Sequence, residues 1–132
     1  MAIANGSGGY QVGAGNFNEV LLGSVAAPQT ATDTATLTAA QITGGMLVVT
    51  PTANATYTTP TAALIDAAVP NARVGSTFDM ALVNTAAFTT NFTMGTGVTN
   101  GGGSATANAA STSAAYRFRK TGDAAWSMYK IA

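Results

Sequence analysis

Cysteine and histidine are both absent from the 132 residues. The chain therefore has no disulfide, no thiol nucleophile, no imidazole base and none of the usual zinc ligands, which excludes most familiar catalytic chemistry. Charge is scarce too: 8% of residues are charged and the formal net charge is zero, whereas an ordinary soluble domain is roughly 25% charged. Residues 1–70 carry only Glu19, Asp33 and Asp66, while residues 71–132 carry Arg73, Arg117, Arg119, Lys120 and Lys130 against Asp79 and Asp123. Halves of −3 and +3 suit polar docking and are too weak for a nucleic-acid groove. Long hydrophobic runs are missing as well. The stretches around Val20–Ala27 and Met46–Val49 are much too short to cross a bilayer, so no membrane partner is expected. The opening MAIANGSGGYQ has no basic residue and no apolar run of signal length, which predicts a soluble protein made in a cytoplasm.

What the sequence has in quantity is alanine and threonine, 28 and 22 residues, or 50 of the 132 positions. A surface of methyls and hydroxyls with so little charge repels its own copies weakly and favours association. At this length one domain with a single real core is expected, together with an appendage. Residues 1–32 hold six of the 15 glycines and no dense alternation, yet they carry Ile3, Tyr10, Val12, Phe17, Val20, Leu21 and Leu22. A disordered linker would lack such side chains. The segment reads as an extended arm that orders against a partner.

From residue 33 to residue 132 the period is two, which predicts strands. Ala35 and Leu37 alternate with Thr34, Thr36 and Thr38; Met46–Thr50 closes at Pro51 and Ala55–Thr58 at Pro60. Phe78, Met80 and Leu82 share one face, Phe88 and Phe92 share another, and a short strand surrounds Val98. A final hairpin runs from Ser111 to Arg119, turns around Gly122 and returns from Ala125 to Ile131. In it Tyr116, Phe118, Trp126 and Met128 face the core, and Arg117 and Arg119 face outward. Thr61–Ala68, between Pro60 and Pro70, is the exception: a threonine N-cap followed by Ala, Leu and Ile predicts one short helix. Seven or eight short strands with one helix predict an all-β, antiparallel sandwich of the jelly-roll kind.

No pattern assembles a catalytic, metal or cofactor site. Gly13, Gly15 and Asp33 imitate part of a dinucleotide fingerprint, but Asn18 stands where the third glycine belongs and no strand or helix flanks it. Asp66 falls on the helix, Asp79 in mid-strand and Asp123 in a turn, so no carboxylate pair is expected; Asp79 either pairs with a nearby arginine or faces solvent, and Asp123 shapes the turn. No calcium-loop spacing occurs. Asn54-Ala55-Thr56 and Asn91-Phe92-Thr93 match a glycosylation sequon but read as ordinary strand sequence. Arg117, Arg119, Lys120 and Lys130 gather on the hairpin beside Tyr129; four charges are few for nucleic acid, and a solvated or subunit-contacting face is expected. The Thr-x-Thr runs at Thr34–Thr38 and Thr56–Thr58 bring ice binding to mind, an activity that needs a regular repeat. No fixed period of about 20 to 50 residues is evident, which argues against it.

Two stretches carry a family likeness. One runs from Thr59-Pro60-Thr61-Ala62-Ala63 through Ile65, Ala67-Ala68, Pro70-Asn71-Ala72, Val74-Gly75-Ser76 and Phe78 to Asn84. The other is Tyr116-Arg117-Phe118-Arg119-Lys120-Thr121-Gly122 with Trp126 and Tyr129-Lys130-Ile131. Together they resemble small jelly-roll structural proteins of tailed bacteriophages, over residues 33–132 and not over the arm. The resemblance implies a virion protein, often trimeric, without catalysis, cofactor or small-molecule substrate. One expectation is a head decoration, or cement, protein on the outer capsid surface, anchored on the major capsid protein by the arm. The alternative is a fibre or knob domain that recognises a host glycan. Arg117, Arg119, Tyr129 and Ile131 are the expected contact within a homotrimer.

Overall fold

The computed structural model describes residues 24–101 and 107–132. Ten strands and two short helices follow one another as β1 (Gln29–Ala31), β2 (Ala35–Thr36), α1 (Ala39–Thr43), β3 (Met46–Val49), β4 (Ala55–Thr58), α2 (Ala62–Ala68), β5 (Thr77–Asn84), β6 (Thr90–Thr93), β7 (Val98–Asn100), β8 (Ala107–Asn108), β9 (Ser113–Gly122) and β10 (Ala125–Lys130). They build a large sheet in the order β1-β3-β5-β9-β10-β7 and a small sheet in the order β2-β4-β6-β8.

Strand direction overturns the expected antiparallel jelly roll. β1, β3 and β5 run parallel to one another, as do β2, β4 and β6, and β7 lies parallel to β10. Among the described residues only the pairs β5–β9, β9–β10 and β6–β8 are antiparallel. The reason lies in the path of the chain. Each strand from β1 to β8 crosses to the opposite sheet; through β6 successive strands in one sheet return in the same direction, β8 then comes back antiparallel to β6, and the β9–β10 hairpin fits between β5 and β7. Parallel neighbours need a crossover connection. Here the crossover is a strand of the other sheet together with α1 or α2. Alternation at period two fixes which residues face inward but is blind to this choice.

The helix α1, unforeseen from the sequence, shows that the winding has a repeat. Thr38-Ala39-Ala40-Gln41-Ile42 and Thr61-Ala62-Ala63-Leu64-Ile65 are the same motif, one coil apart. Thr38 and Thr61 cap their helices, and Ile42 and Ile65 are both completely buried. At Thr38 the cap is reciprocal: its hydroxyl accepts from the Gln41 amide and the Gln41 side chain accepts from the Thr38 amide, which satisfies two otherwise orphaned donors.

Large apolar side chains fill the space between the sheets. Leu47, Val49, Met80, Leu82, Tyr116, Phe118, Trp126 and Met128 face Leu37, Ala55, Tyr57 and Phe92. Phe92 meets Tyr116 edge-on at 5.0 Å, and Phe78 stacks on Phe118 at 4.9 Å. Phe88 departs from expectation: it lies outside β6, in a bend, 38% exposed. Asn84, at the end of β5, ties down that bend by donating to the Phe88 and Ala109 carbonyls and accepting from the Ala86 amide.

One polar seam is incompletely bonded. Thr90 on β6 stands directly opposite Asn108 on β8; both are buried, and among the described residues the Thr90 hydroxyl and Asn108 Oδ1 lack hydrogen-bond partners. Such an atom sacrifices hydration without return. Thr90→Val is therefore expected to raise stability by about 1 kcal/mol, read as a higher urea midpoint at unchanged m-value. A loss of that size would mean that the hydroxyl is bonded in solution.

Candidate functional site

The outer face of the large sheet is where the sequence placed its contact residues. Strand alternation sends Tyr116, Phe118, Trp126 and Met128 inward and leaves Arg117, Arg119 and Tyr129 facing out. Registry then lines up Asp79, Arg117 and Tyr129 in one row across β5, β9 and β10. Thr77, Arg119 and Ser127 form the next row, and Thr99 of β7 extends it. Toward β3 the same face becomes apolar, with Val48 opposite Val83 and Met46 opposite Ala81. The Ile131 amide donates to the Ala115 carbonyl, and its side chain remains 47% exposed.

Arg117 grips Asp79 through two parallel hydrogen bonds of 2.8 and 2.9 Å. The Arg117 guanidinium beside it holds the Asp79 carboxyl below its ordinary value. With half of each side chain in water, the pair contributes little to stability and supplies a fixed dipole on an otherwise sparsely charged face. Tyr129 is half-buried because its ring lies against Gly101, where a Cβ would collide with the ring carbons.

Three of the hairpin's four cations are committed to different tasks. Lys120 faces inward beyond Phe118, opposite Trp126, and its ammonium bonds Asp66 of α2 at 2.8 Å. Lys130 donates to the Ala107 carbonyl of β8 and so links the two sheets. Arg117 is neutralised by Asp79, which leaves no continuous basic groove on the hairpin. Asp66 also accepts from the Trp126 indole and the Ala124 amide, each at 2.8 Å. Three donors, Lys120 foremost, hold its carboxyl below the ordinary range against the opposing effect of desolvation. A carboxylate so occupied is a structural pin. The sequence reading missed this pin, although the alternation Tyr116, Phe118, Lys120 already pointed the lysine inward.

The remaining site residues of the sequence reading, Ile3, Tyr10, Val12, Phe17, Val20, Leu21 and Leu22, lie outside the described residues. The end of the expected arm does not: Gln29–Ala31 is β1, paired with β3 at the edge of the large sheet. Among the described residues no group of three acidic or other ligating side chains is placed to hold a metal ion, and no helix is long and apolar enough to cross a membrane. No protein-family model, curated protein or solved structure matches the chain.

Proposed function

We propose that the chain is a structural protein of a bacteriophage virion, a head decoration protein that binds the outer capsid surface and stabilises neighbouring capsomers. The observation that carries this reading is the outer face of the large sheet: a Tyr129–Arg117–Asp79 row beside Ile131 and the Val48–Val83 and Met46–Ala81 pairs, on a chain of zero net charge. Such a face combines apolar area with one oriented ion pair, as a contact between subunits requires. The two stretches that carry the phage likeness meet in space as α2, β5, β9 and β10, with Asp66 joining the first to the last two. The carboxylates Asp66 and Asp79 are committed to internal bonds, in keeping with a role that needs no catalysis.

In this reading the large sheet makes the contact between copies in a homotrimer, and residues 1–23 reach the major capsid protein. A closed trimer joins two different patches of each copy, so the apolar and the polar end of the face have separate roles. Light scattering of the purified protein is expected to report a trimer at micromolar concentration, and Tyr129→Lys combined with Ile131→Lys to shift it to monomer with the fold intact. Deleting residues 2–23, which leaves β1 in place, is expected to abolish attachment to undecorated heads. Quantitative gels of intact particles are expected to give hundreds of copies per particle. A monomeric wild type, or tens of copies per particle, overturns the reading and favours a glycan-binding fibre domain.

A further inference from the structure

The small sheet has an outer face that the head-decoration reading leaves unused. Winding in parallel register places Thr36 of β2, Thr58 of β4 and Thr93 of β6 side by side. One step back along the strands, Thr56 stands beside Asn91, and Thr34, just ahead of β2, accepts from the Thr56 amide at 3.0 Å. Two adjacent ranks therefore cross three neighbouring strands, with a threonine at five of six positions. The inward neighbours Ala55, Tyr57, Thr90 and Phe92 are buried, so the ranks belong to the opposite, solvent side. Among the described residues the hydroxyls of Thr36, Thr56, Thr58 and Thr93 have no hydrogen-bond partner, and no charged residue lies on β2, β4, β6 or β8.

Each threonine presents one hydroxyl and one methyl. Neighbouring parallel strands stand about 4.8 Å apart and alternate residues about 6.6 Å apart along a strand, so the hydroxyls form a small two-dimensional net. Water oxygens in a plane of ice repeat on spacings of the same size. A net of this kind lets first-layer water adopt lattice positions while the methyls exclude competing arrangements. The absence of charge matters equally, because an ammonium or carboxylate would impose its own hydration shell. The sequence argued against such a role for want of a repeat. The fold supplies the repeat laterally, by stacking successive coils whose lengths differ.

We propose that the outer face of the small sheet orders water into an ice-like layer, and that the protein adsorbs to ice through Thr36, Thr56, Thr58 and Thr93. This goes beyond virion assembly and stands or falls separately from it. The test is incorporation of the full chain into slowly growing ice, together with the shape of single ice crystals at their growth temperature. Wild type is expected to enter the ice fraction and to facet the crystals. Thr58→Lys, at the centre of the first rank, is expected to drop to the exclusion shown by a non-binding control protein. Thr93→Lys is the second variant in case the first fails to fold, with far-ultraviolet circular dichroism as the check. Ala67→Lys, which adds the same charge at an exposed position of α2 outside both sheets, is expected to behave as wild type. Exclusion of the wild type from ice overturns the proposal, as does equal incorporation of folded Thr58→Lys and wild type.

Discussion

Asp66→Ala is expected to destabilise the protein by about 2 to 4 kcal/mol, because it strands a buried lysine. Lys120 is 8% exposed and Asp66 is its only ion-pair partner among the described residues. The same change removes the acceptor for the Trp126 indole and for the Ala124 amide, and so uncouples α2 from the closing hairpin. Asp66→Asn keeps the shape and one acceptor, and is expected to lose roughly half as much. Combining Asp66→Ala with Lys120→Met removes both charges and is expected to recover part of the loss, since the methionine stem still packs beside Trp126. Urea midpoints of wild type, Asp66→Ala, Lys120→Met and the double variant check this cycle, with Asp66→Asn read beside them.

Acid reads the same pin. The folded-state carboxyls of Asp66 and Asp79 lie below the ordinary value of 3.8, so their contribution to stability is complete above that value and disappears as pH falls through the lowered ones. With no histidine in the chain, stability is expected to stay nearly level from about pH 5 to pH 8 and to fall only in stronger acid. Asp66→Ala is expected to narrow its gap to wild type steadily as the pH falls through the lowered Asp66 value, because the wild-type carboxylate is then itself neutralised. A gap that is constant with pH would mean that the pin acts through packing and not through charge.

Gly97→Ala is expected to be at least as damaging, with a loss of about 3 kcal/mol or failure to accumulate as soluble protein. Gly97 has φ +84°, a region in which a Cβ is strained, and the added carbon would lie 2.5 Å from the Ala124 carbonyl oxygen and 2.8 Å from the Ala62 Cβ. Three elements converge there: the start of α2, the hairpin turn and the approach to β7, where the Gly97 carbonyl accepts from the Trp126 amide. None of these neighbours is the loose end of a long side chain, so relief requires backbone movement. Gly95 presses against the Thr59 and Pro60 carbonyls in the same way. Gly122→Ala, whose Cβ would meet only the Ala125 Cβ at 3.7 Å, is the expected mild counterpart.

Much of this architecture is legible in the sequence, and the omissions have physical causes. The inward set Tyr116, Phe118, Trp126 and Met128 and the α2 helix after Thr61 follow from alternation and capping; that Asp79 takes Arg117 as its partner follows only from the β5–β9 register. α1 was hidden because Thr34–Thr38 alternates like a strand. Its signal was the Thr38-x-x-Gln41 box, a local hydrogen-bond pattern that outweighs a five-residue periodicity. Strand direction was not legible at all, since the same alternation serves a hairpin and a coil that returns through another layer. The repeat escaped notice because paired strands are separated by unequal lengths of chain: Ala35 pairs with Tyr57, whereas Ala55 pairs with Thr90. Of the contact surface, the outward parity of Arg117, Arg119 and Tyr129 was readable, as was the inward parity of Lys120 and Lys130, while the partners that hold the two lysines, Asp66 and the Ala107 carbonyl, come from distant parts of the chain.

The position of β7 has a consequence for the order in which the chain folds. Its three residues are made before the β9–β10 hairpin, yet their sheet partner is β10, at Trp126, Ser127 and Met128. The coils from β1 to β6 can close one after another as they are synthesised, since each rests on the coil before it. β7 cannot: it waits beyond the gap that the hairpin will fill. The hydrogen bonds at that edge, including Gly101 to the Met128 carbonyl, therefore form only after residue 128 has been made, and the fold locks late and in one step. Refolding from denaturant is expected to show the same sequence, with Trp126 burial reporting the final event and non-local pairing making it slow.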